Sequence, residues 1–206
     1  MTPNTQSHLT KALGCLIMCV FVVGGAEGQK PVKSSPPLTA DELAIYKAVL
    51  QQYQGAKDTG PLNISNRTYP FEPGSHPGGP SPECMQGIEF ENLSTVSRSF
   101  HELTSEVLVG KNMRLADPDK QGRIVRGNDP DRTMPAGKSV SEAVQDAFST
   151  GLFSLSEIVF DKERAHAAVS YRFWCGFLCG NGATVVFEKV GNTWKKLDRQ
   201  CGGWIS

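Results

Sequence analysis

The residues of this chain whose types and spacing could do chemistry are its cysteines and histidines. Cys84, Cys175, Cys179 and Cys201 form an even set once Cys15 and Cys19, which lie in an apolar N-terminal stretch, are set aside. Cys175 and Cys179 stand four apart around Gly176-Phe177-Leu178, between two predicted strands. A chain reversal there brings the two Cα atoms to the roughly 5.5 Å that a disulfide favours. This pairing leaves Cys84 with Cys201, while the two other pairings send Cys175 and Cys179 separately to Cys84 and Cys201. Four thiolates can also enclose a tetrahedral zinc ion, but the paired Cys-x-x-Cys knuckles of such a site are missing. Thiol–disulfide exchange favours a low-pKa cysteine at a helix N-terminus, whereas Cys175 falls between strands. The reading is two structural disulfides, with no metal and no cofactor.

The histidines offer less. His8 lies in the N-terminal stretch and His76 in a proline-rich segment; His101 is flanked by Phe100 and Glu102 on an expected helix, and His166 follows Asp161, Glu163 and Arg164 near an expected turn. Neither His101 nor His166 has the spacing of a metal ligand or of a nucleophile–base pair, so both are placed on the solvated surface. Gly180-Asn181-Gly182 and the 74–79 segment lack the strand, helix and Lys-Ser/Thr of a phosphate loop, and are read as turns. Asn63-Ile64-Ser65, Asn66-Arg67-Thr68 and Asn92-Leu93-Ser94 match the glycosylation sequon and are read as coincidental. Of Trp174, Trp194 and Trp204, at least two are expected in the core, the alternative being an exposed aromatic row that binds a glycan or peptide.

The elements that must position these residues follow from periodicity. Thr39 with Glu42 has the form of a capping box, and Leu43, Tyr46, Val49, Leu50 and Tyr53 then recur at helical spacing, predicting a helix over 40–54. Gly55 and Gly60-Pro61 end it, and 62–65 reads as a short strand. The prolines of 69–82 exclude a helix or central strand, so this is a surface loop tethered by Cys84. Leu93, Val96, Phe100 and Leu103 predict a helix over 92–105. Residues 110–138, rich in Gly, Pro, Asp and Asn, read as loop, with turns at Asp117-Pro118 and Asn128-Asp129-Pro130. A third helix, capped by Ser139 with Glu142, covers 139–148. Apolar runs at 152–160, 165–174, 183–190 and 193–197, with a turn at Gly191-Asn192, predict short strands at hairpin spacing. The expected fold is α+β, with the N-terminal and central helices packed on a C-terminal antiparallel β meander.

Lys11 followed by a nearly unbroken apolar run over 12–23, with Gly24 and Ala26 at the −3 and −1 positions, has the form of a signal peptide cleaved after Ala26. A retained anchor needs roughly 20 apolar residues, more than this run offers, and neither Cys15 nor Cys19 has the context of a lipidated cysteine. The organisation is therefore read as a signal peptide at 1–26, an extended proline-rich linker at 27–38 and a single α+β domain at 39–206. With 21 basic and 21 acidic residues, no excess charge draws the chain to nucleic acid or an anionic membrane. No membrane span is expected after cleavage, and cysteine usage fits a periplasmic or extracellular location.

The C-terminal pattern is the most specific stretch. Residues 155–161 (Leu-Ser-Glu-Ile-Val-Phe-Asp), 168–171, Cys175-Gly176-Phe177-Leu178-Cys179-Gly180, Phe187-Glu188-Lys189, Trp194-Lys195 and Trp204-Ile205-Ser206 resemble a family of uncharacterised exported bacterial proteins, as do 45–50 and 66–68. The resemblance implies export and the fold boundaries and contributes no catalytic residue. The reading is a non-enzymatic binding or envelope-associated domain. Its alternative, a secreted hydrolase-like enzyme, requires a pocket lined by His101 or His166 with a neighbouring carboxylate. N-terminal sequencing of protein recovered from the periplasm or medium is expected to begin at or near Glu27; a cytoplasmic pool that keeps Met1 contradicts export.

Overall fold

The computed structural model describes residues 36–56, 61–71, 85–90, 100–199 and 201–206. The segment read as a signal peptide, most of the expected linker, His76, Cys84, the third sequon and the first part of the helix expected over 92–105 lie outside the described residues. Everything described belongs to one unit.

The capping box forms as expected. Glu42 accepts from the backbone N–H of Thr39 at 2.7 Å, and the Thr39 hydroxyl accepts from the Glu42 N–H at 3.3 Å. Helix α1 (Ala40–Ala56) follows and buries Ile45, Tyr46, Val49 and Leu50. The last long helix, Val140–Thr150, also starts from a complete capping box, made by Ser139 and Glu142.

Between these helices the loop expected at 110–138 is replaced by structure. A strand β2 (Met113–Ala116) pairs in parallel with β1 (Leu62–Ser65), and helices α2 (Pro118–Gly127) and α3 (Pro130–Thr133) follow, so that Val140–Thr150 is α4. The Asp-Pro pairs read as turns are helix starts. Asp117 accepts from the Lys120 N–H and Asp129 from the Asp131 N–H, and each proline stands at the first helical position, where it lacks only an N–H that has no helical partner anyway. Helix α2 escaped the apolar pattern because it buries Gln121 and Gly122 beside Val125. The helix expected over 92–105 is also corrected within the described part. Residues 101–104 are non-helical and only a single 3-10 turn forms, at Ser105–Val107. Their backbone is drawn to the segment after β1, where the Leu103 N–H donates to Asn66 O at 2.7 Å and the Thr68 N–H to His101 O at 3.0 Å.

Strands β3 (Leu152–Leu155), β4 (Val159–Phe160), β5 (His166–Gly176), β6 (Cys179–Val190), β7 (Thr193–Lys196) and β8 (Gly203–Ile205) complete the sheet, in the order β2-β1-β3-β5-β6-β7. Strand β4 shares the β3 edge of β5, and β8 shares the β7 edge of β6. The sheet is mixed: β5, β6 and β7 form the expected antiparallel meander, but β1 runs parallel to both β2 and β3. Parallel pairing requires long crossovers, and α2, α3 and α4 supply the one from β2 to β3.

Alternation along β5 feeds two cores. Ala167, Val169, Phe173 and Cys175 join α1 in the main core, while Ala168 faces a second core with Val159, Val186, Phe71 and Cys201. Asp41 pins α1 to the sheet by accepting from Lys189 Nζ at 2.9 Å and Trp194 Nε1 at 3.0 Å. The Lys189 bond, assisted by Trp194 against the cost of burial, holds the Asp41 carboxyl below its ordinary 3.8. Asp161 also lies below the ordinary value: burial opposes ionisation, but the backbone and ring of His166 and the Ala165 N–H overcome it.

A carboxyl lowered in the folded state stabilises fully above its unfolded pKa and loses that contribution as pH falls through the folded one. Asp41→Asn should therefore cost about 1.5 kcal/mol at neutral pH, and the difference from wild type should vanish in acid below the ordinary carboxylate range. Urea unfolding of both proteins across a pH series checks this; a constant difference down to the acid limit contradicts it.

Candidate functional site

His101 and His166 are the first candidates to place, and neither is a solvated surface residue. The His101 side chain is 12% exposed and its Nδ1 lies 2.9 Å from Glu157 Oε2; the Glu157 side chain is 5% exposed. Glu157 Oε1 takes the His101 backbone N–H at 2.8 Å and the Thr68 hydroxyl. Next to it, Ser156 O accepts from Tyr46 Oη at 3.0 Å. Burial, and then the Glu157 charge, pushes the Tyr46 phenol well above its ordinary range. His166 pairs its Nδ1 with Asp161 Oδ2 at 2.7 Å. These are carboxylate–imidazole pairs, but neither histidine nor its partner lines either of two large cavities, of about 990 Å³ and 910 Å³. Glu157 clamps three chain segments where β3 gives way to β4, and Asp161 closes the turn into β5.

The Cys175–Cys179 disulfide is formed, with a Cα–Cα separation of 5.0 Å. Gly176 pairs with Cys179, so the hairpin tip is Phe177-Leu178. Helix α3 supports this tip, since Asp129 Oδ2 accepts from the Phe177 N–H at 2.9 Å. Cys201 is also disulfide-bonded, and its partner lies outside the described residues, as does Cys84. Gly180-Asn181-Gly182 is strand, not a turn. Trp204 of β8 lies against both glycines: a Cβ on Gly182 would stand 2.6 Å from its Nε1, and one on Gly180 would be 2.8 Å from Phe173 O. Only Trp194 of the three tryptophans is buried; Trp174 and Trp204 are half-buried, so the expectation of two core tryptophans is corrected. Asn63 of the first sequon is fully buried, donating to Gly151 O at 2.9 Å and accepting from Arg114 Nε at 2.6 Å.

The candidate site lies on the α1 side of the sheet, above the hairpin tip. A cavity of about 990 Å³ opens between the last turns of α1, α4, the β5–β6 tip and β8. Its walls are aromatic. Tyr53 sits 5.7 Å from Tyr171 and 6.2 Å from Phe173, and Phe148 stacks on Phe173 at 5.9 Å between centroids. The disulfide forms part of the wall, and Asn181 brings an amide beside the Tyr53 hydroxyl. Burial pushes the Tyr53 phenol up to about 12, so it stays protonated at physiological pH. The region of the mouth is apolar and exposed: Phe148 is 40% accessible, Leu178 67% and Ile205 90%. Apolar concavity with few polar groups is the usual character of a small-molecule site.

Among the described residues no group of three His, Cys, Asp or Glu could hold a metal ion, and no helix is long and apolar enough to cross a membrane. Compared with known proteins, the chain matches no family model, no curated protein and no solved structure.

Sequence reasoning found the disulfide of this site and missed its aromatics. Tyr53 reads in sequence as one more member of the α1 stripe, and Phe148 falls at the end of the helix expected over 139–148. Leu178 and Phe177 carried the available signal, being large apolar residues at a hairpin tip that no core can reach. Opening Cys175–Cys179 by double alanine substitution is expected to cost about 2 kcal/mol in the chain-entropy model. Cys201→Ala should cost more, since any cysteine outside the described residues closes with it a ring of over about a hundred residues, worth roughly 4 kcal/mol or more. Denaturant unfolding of the two variants decides, and equal losses contradict the ranking.

Proposed function

We propose that this chain is an exported, disulfide-braced binding domain that takes a small, mainly apolar ligand bearing one hydrogen-bonding group into the cavity between α1, α4 and the β5–β6 tip. The observation that carries this reading is the aromatic-walled cavity with an exposed apolar mouth, which leaves Phe148 and Leu178 in water where burial would stabilise them. Tyr53 and Asn181 supply neutral polarity at one wall, suited to a hydroxyl or carbonyl, and Asp129 and Asp131, which also line the cavity, disfavour an anion. A binding role is favoured over hydrolysis because the histidine–carboxylate pairs line neither cavity.

The remaining features fit the same picture. The signal peptide at 1–26 would deliver the domain to the periplasm or the medium, where Cys84 and Cys201 would form the second disulfide. That bond would tether the segment leading into β8, and with it one wall of the cavity.

Titration with 1-naphthol, followed by ligand fluorescence, should saturate with one site. Naphthalene should bind about tenfold more weakly, the loss of roughly one hydrogen bond, and Tyr53→Phe should narrow that gap. Val144→Trp, which adds bulk to a wall residue that is 41% exposed, should abolish binding while leaving unfolding cooperative. Binding by wild type that survives Val144→Trp unchanged, or no saturable binding at all, contradicts the reading.

A further inference from the structure

The opposite face of the sheet carries a second concavity of different chemistry. A cleft of about 910 Å³ lies between α2, the ends of β1 and β3, and the outward-facing side of β5. Its charged lining is four arginines, Arg67, Arg123, Arg126 and Arg172, against the single carboxylate of Asp119. That carboxylate is taken by Arg67 at 2.8 Å. Among the described residues no carboxylate pairs with Arg123, Arg126 or Arg172. In a chain whose acidic and basic residues balance, three unneutralised guanidinium groups on one cleft are a local concentration of charge.

The fold holds these groups in place. Arg172 lies over the Tyr69 ring at 4.2 Å, and Arg126 stands 6.0 Å from the Trp174 ring. Arg172 and Trp174 are two apart on β5 and so project from one face; Arg123 and Arg126 are three apart on α2 and share one side of the helix. Helix α2 packs on the sheet with Gly122 facing Trp174, where a Cβ would make ordinary contact with the ring at 3.6 Å. A guanidinium stacked on a ring is restrained by a partner that does not neutralise it, and its N–H donors stay in the plane of the fork.

We propose that this cleft is an anion site for a small soluble phosphate ester. The arginines would take the phosphate oxygens, and Trp174 with Phe100 would pack the organic part. A phosphate monoester carries close to two negative charges and three acceptor oxygens, which matches several guanidinium forks better than a single carboxylate does. This site is independent of the apolar cavity: the two share only Trp204 among their lining residues.

The test is an NMR titration of the full mature chain, reading the Trp174 indole N–H resonance. Phenyl phosphate should give a saturable shift. Inorganic phosphate should compete but bind more weakly, and phenol should leave the resonance unmoved. Arg126→Gln/Arg172→Gln should lower the phenyl phosphate affinity at least tenfold, and Arg123→Gln, an exposed helical change, should lower it severalfold with unaltered unfolding. Val144→Trp should have no effect, so failure of the apolar site and failure of this one are separately visible. No saturable shift, or an affinity unchanged in the double variant and in Arg123→Gln, overturns the proposal. So would arginine-dependent co-sedimentation with phosphatidylglycerol vesicles in place of phenyl phosphate saturation, since that would put a lipid headgroup in the cleft.

Discussion

The β5–β6 ladder is the interaction on which the rest of the structure depends. Nine consecutive residue pairs, from His166 with Glu188 to Trp174 with Gly180, run along it before the irregularity at the tip. Every other strand from β3 onward is short and docks on one of its two edges: β3 and β4 share the β5 edge, β7 and β8 the β6 edge. Because successive side chains point to opposite faces, the register also decides which cavity each residue serves. Tyr171, Phe173 and Cys175 are delivered to the apolar cavity, and Arg172 and Trp174 to the cleft behind it. A slip of one residue would exchange these sets and put a guanidinium among the rings of the main core. The two concavities are consequences of one pairing.

Where paired short strands meet on an edge, the ladder is interrupted and the free backbone groups need partners. Between β3 and β4 the solution is polar and buried. Ser156 Oγ accepts from the Ser170 N–H at 2.8 Å and donates to Glu157 O at 2.7 Å, while the Glu157 carboxylate gathers Thr68 and His101. Taking a carboxylate out of water is costly unless its acceptors are filled, and here both oxygens are. This explains why His101 and Glu157 look like acid–base machinery without lining either of the two concavities. Their geometry serves closure of the sheet, joining segments separated by dozens of residues.

How far the sequence was legible follows the range of the forces involved. Helix α1, helix α4 with its Ser139 cap, the β5–β6–β7 meander and the Cys175–Cys179 bond were all readable, because each rests on capping, periodicity or a hairpin between neighbours in the chain. Residues 101–104 were not. Phe100 and Leu103 keep helical spacing, but the backbone between them is claimed by Asn66, Thr68 and Glu157, which local pattern cannot announce. Helix α2 was hidden for the opposite reason: a side flanked by strands needs small and polar residues such as Gly122 and Gln121, the latter donating to Thr150 O at 2.6 Å, and so shows few apolar ones. The Asp-Pro pairs read as turns within a loop because their residue types suit a turn and a helix N-terminus equally. The site residues were invisible because Tyr53, Phe148, Tyr171 and Trp204 come from four elements and meet only in three dimensions.

Trp204 shows how narrow the margin is between the two concavities. It can lie flat against β6 only because Gly180 and Gly182 have no side chains; a single methyl group at Gly182 would meet the indole nitrogen and the Tyr171 carbonyl at once. Trp204 lines both concavities, and its register partner Gly182, itself opposite Arg172, puts its indole on the arginine-cleft face of the sheet. This end of the cleft is thus one aromatic ring resting on bare backbone, carried by a strand of three residues. The pairing continues past the strand, where Ser206 and Gly180 exchange backbone hydrogen bonds at 3.0 and 3.3 Å. The disulfide at Cys201, two residues before the strand begins, restrains the chain that leads into it. Covalent bracing therefore belongs to the same arrangement as the glycines: they make room for the indole, and the crosslink keeps it there.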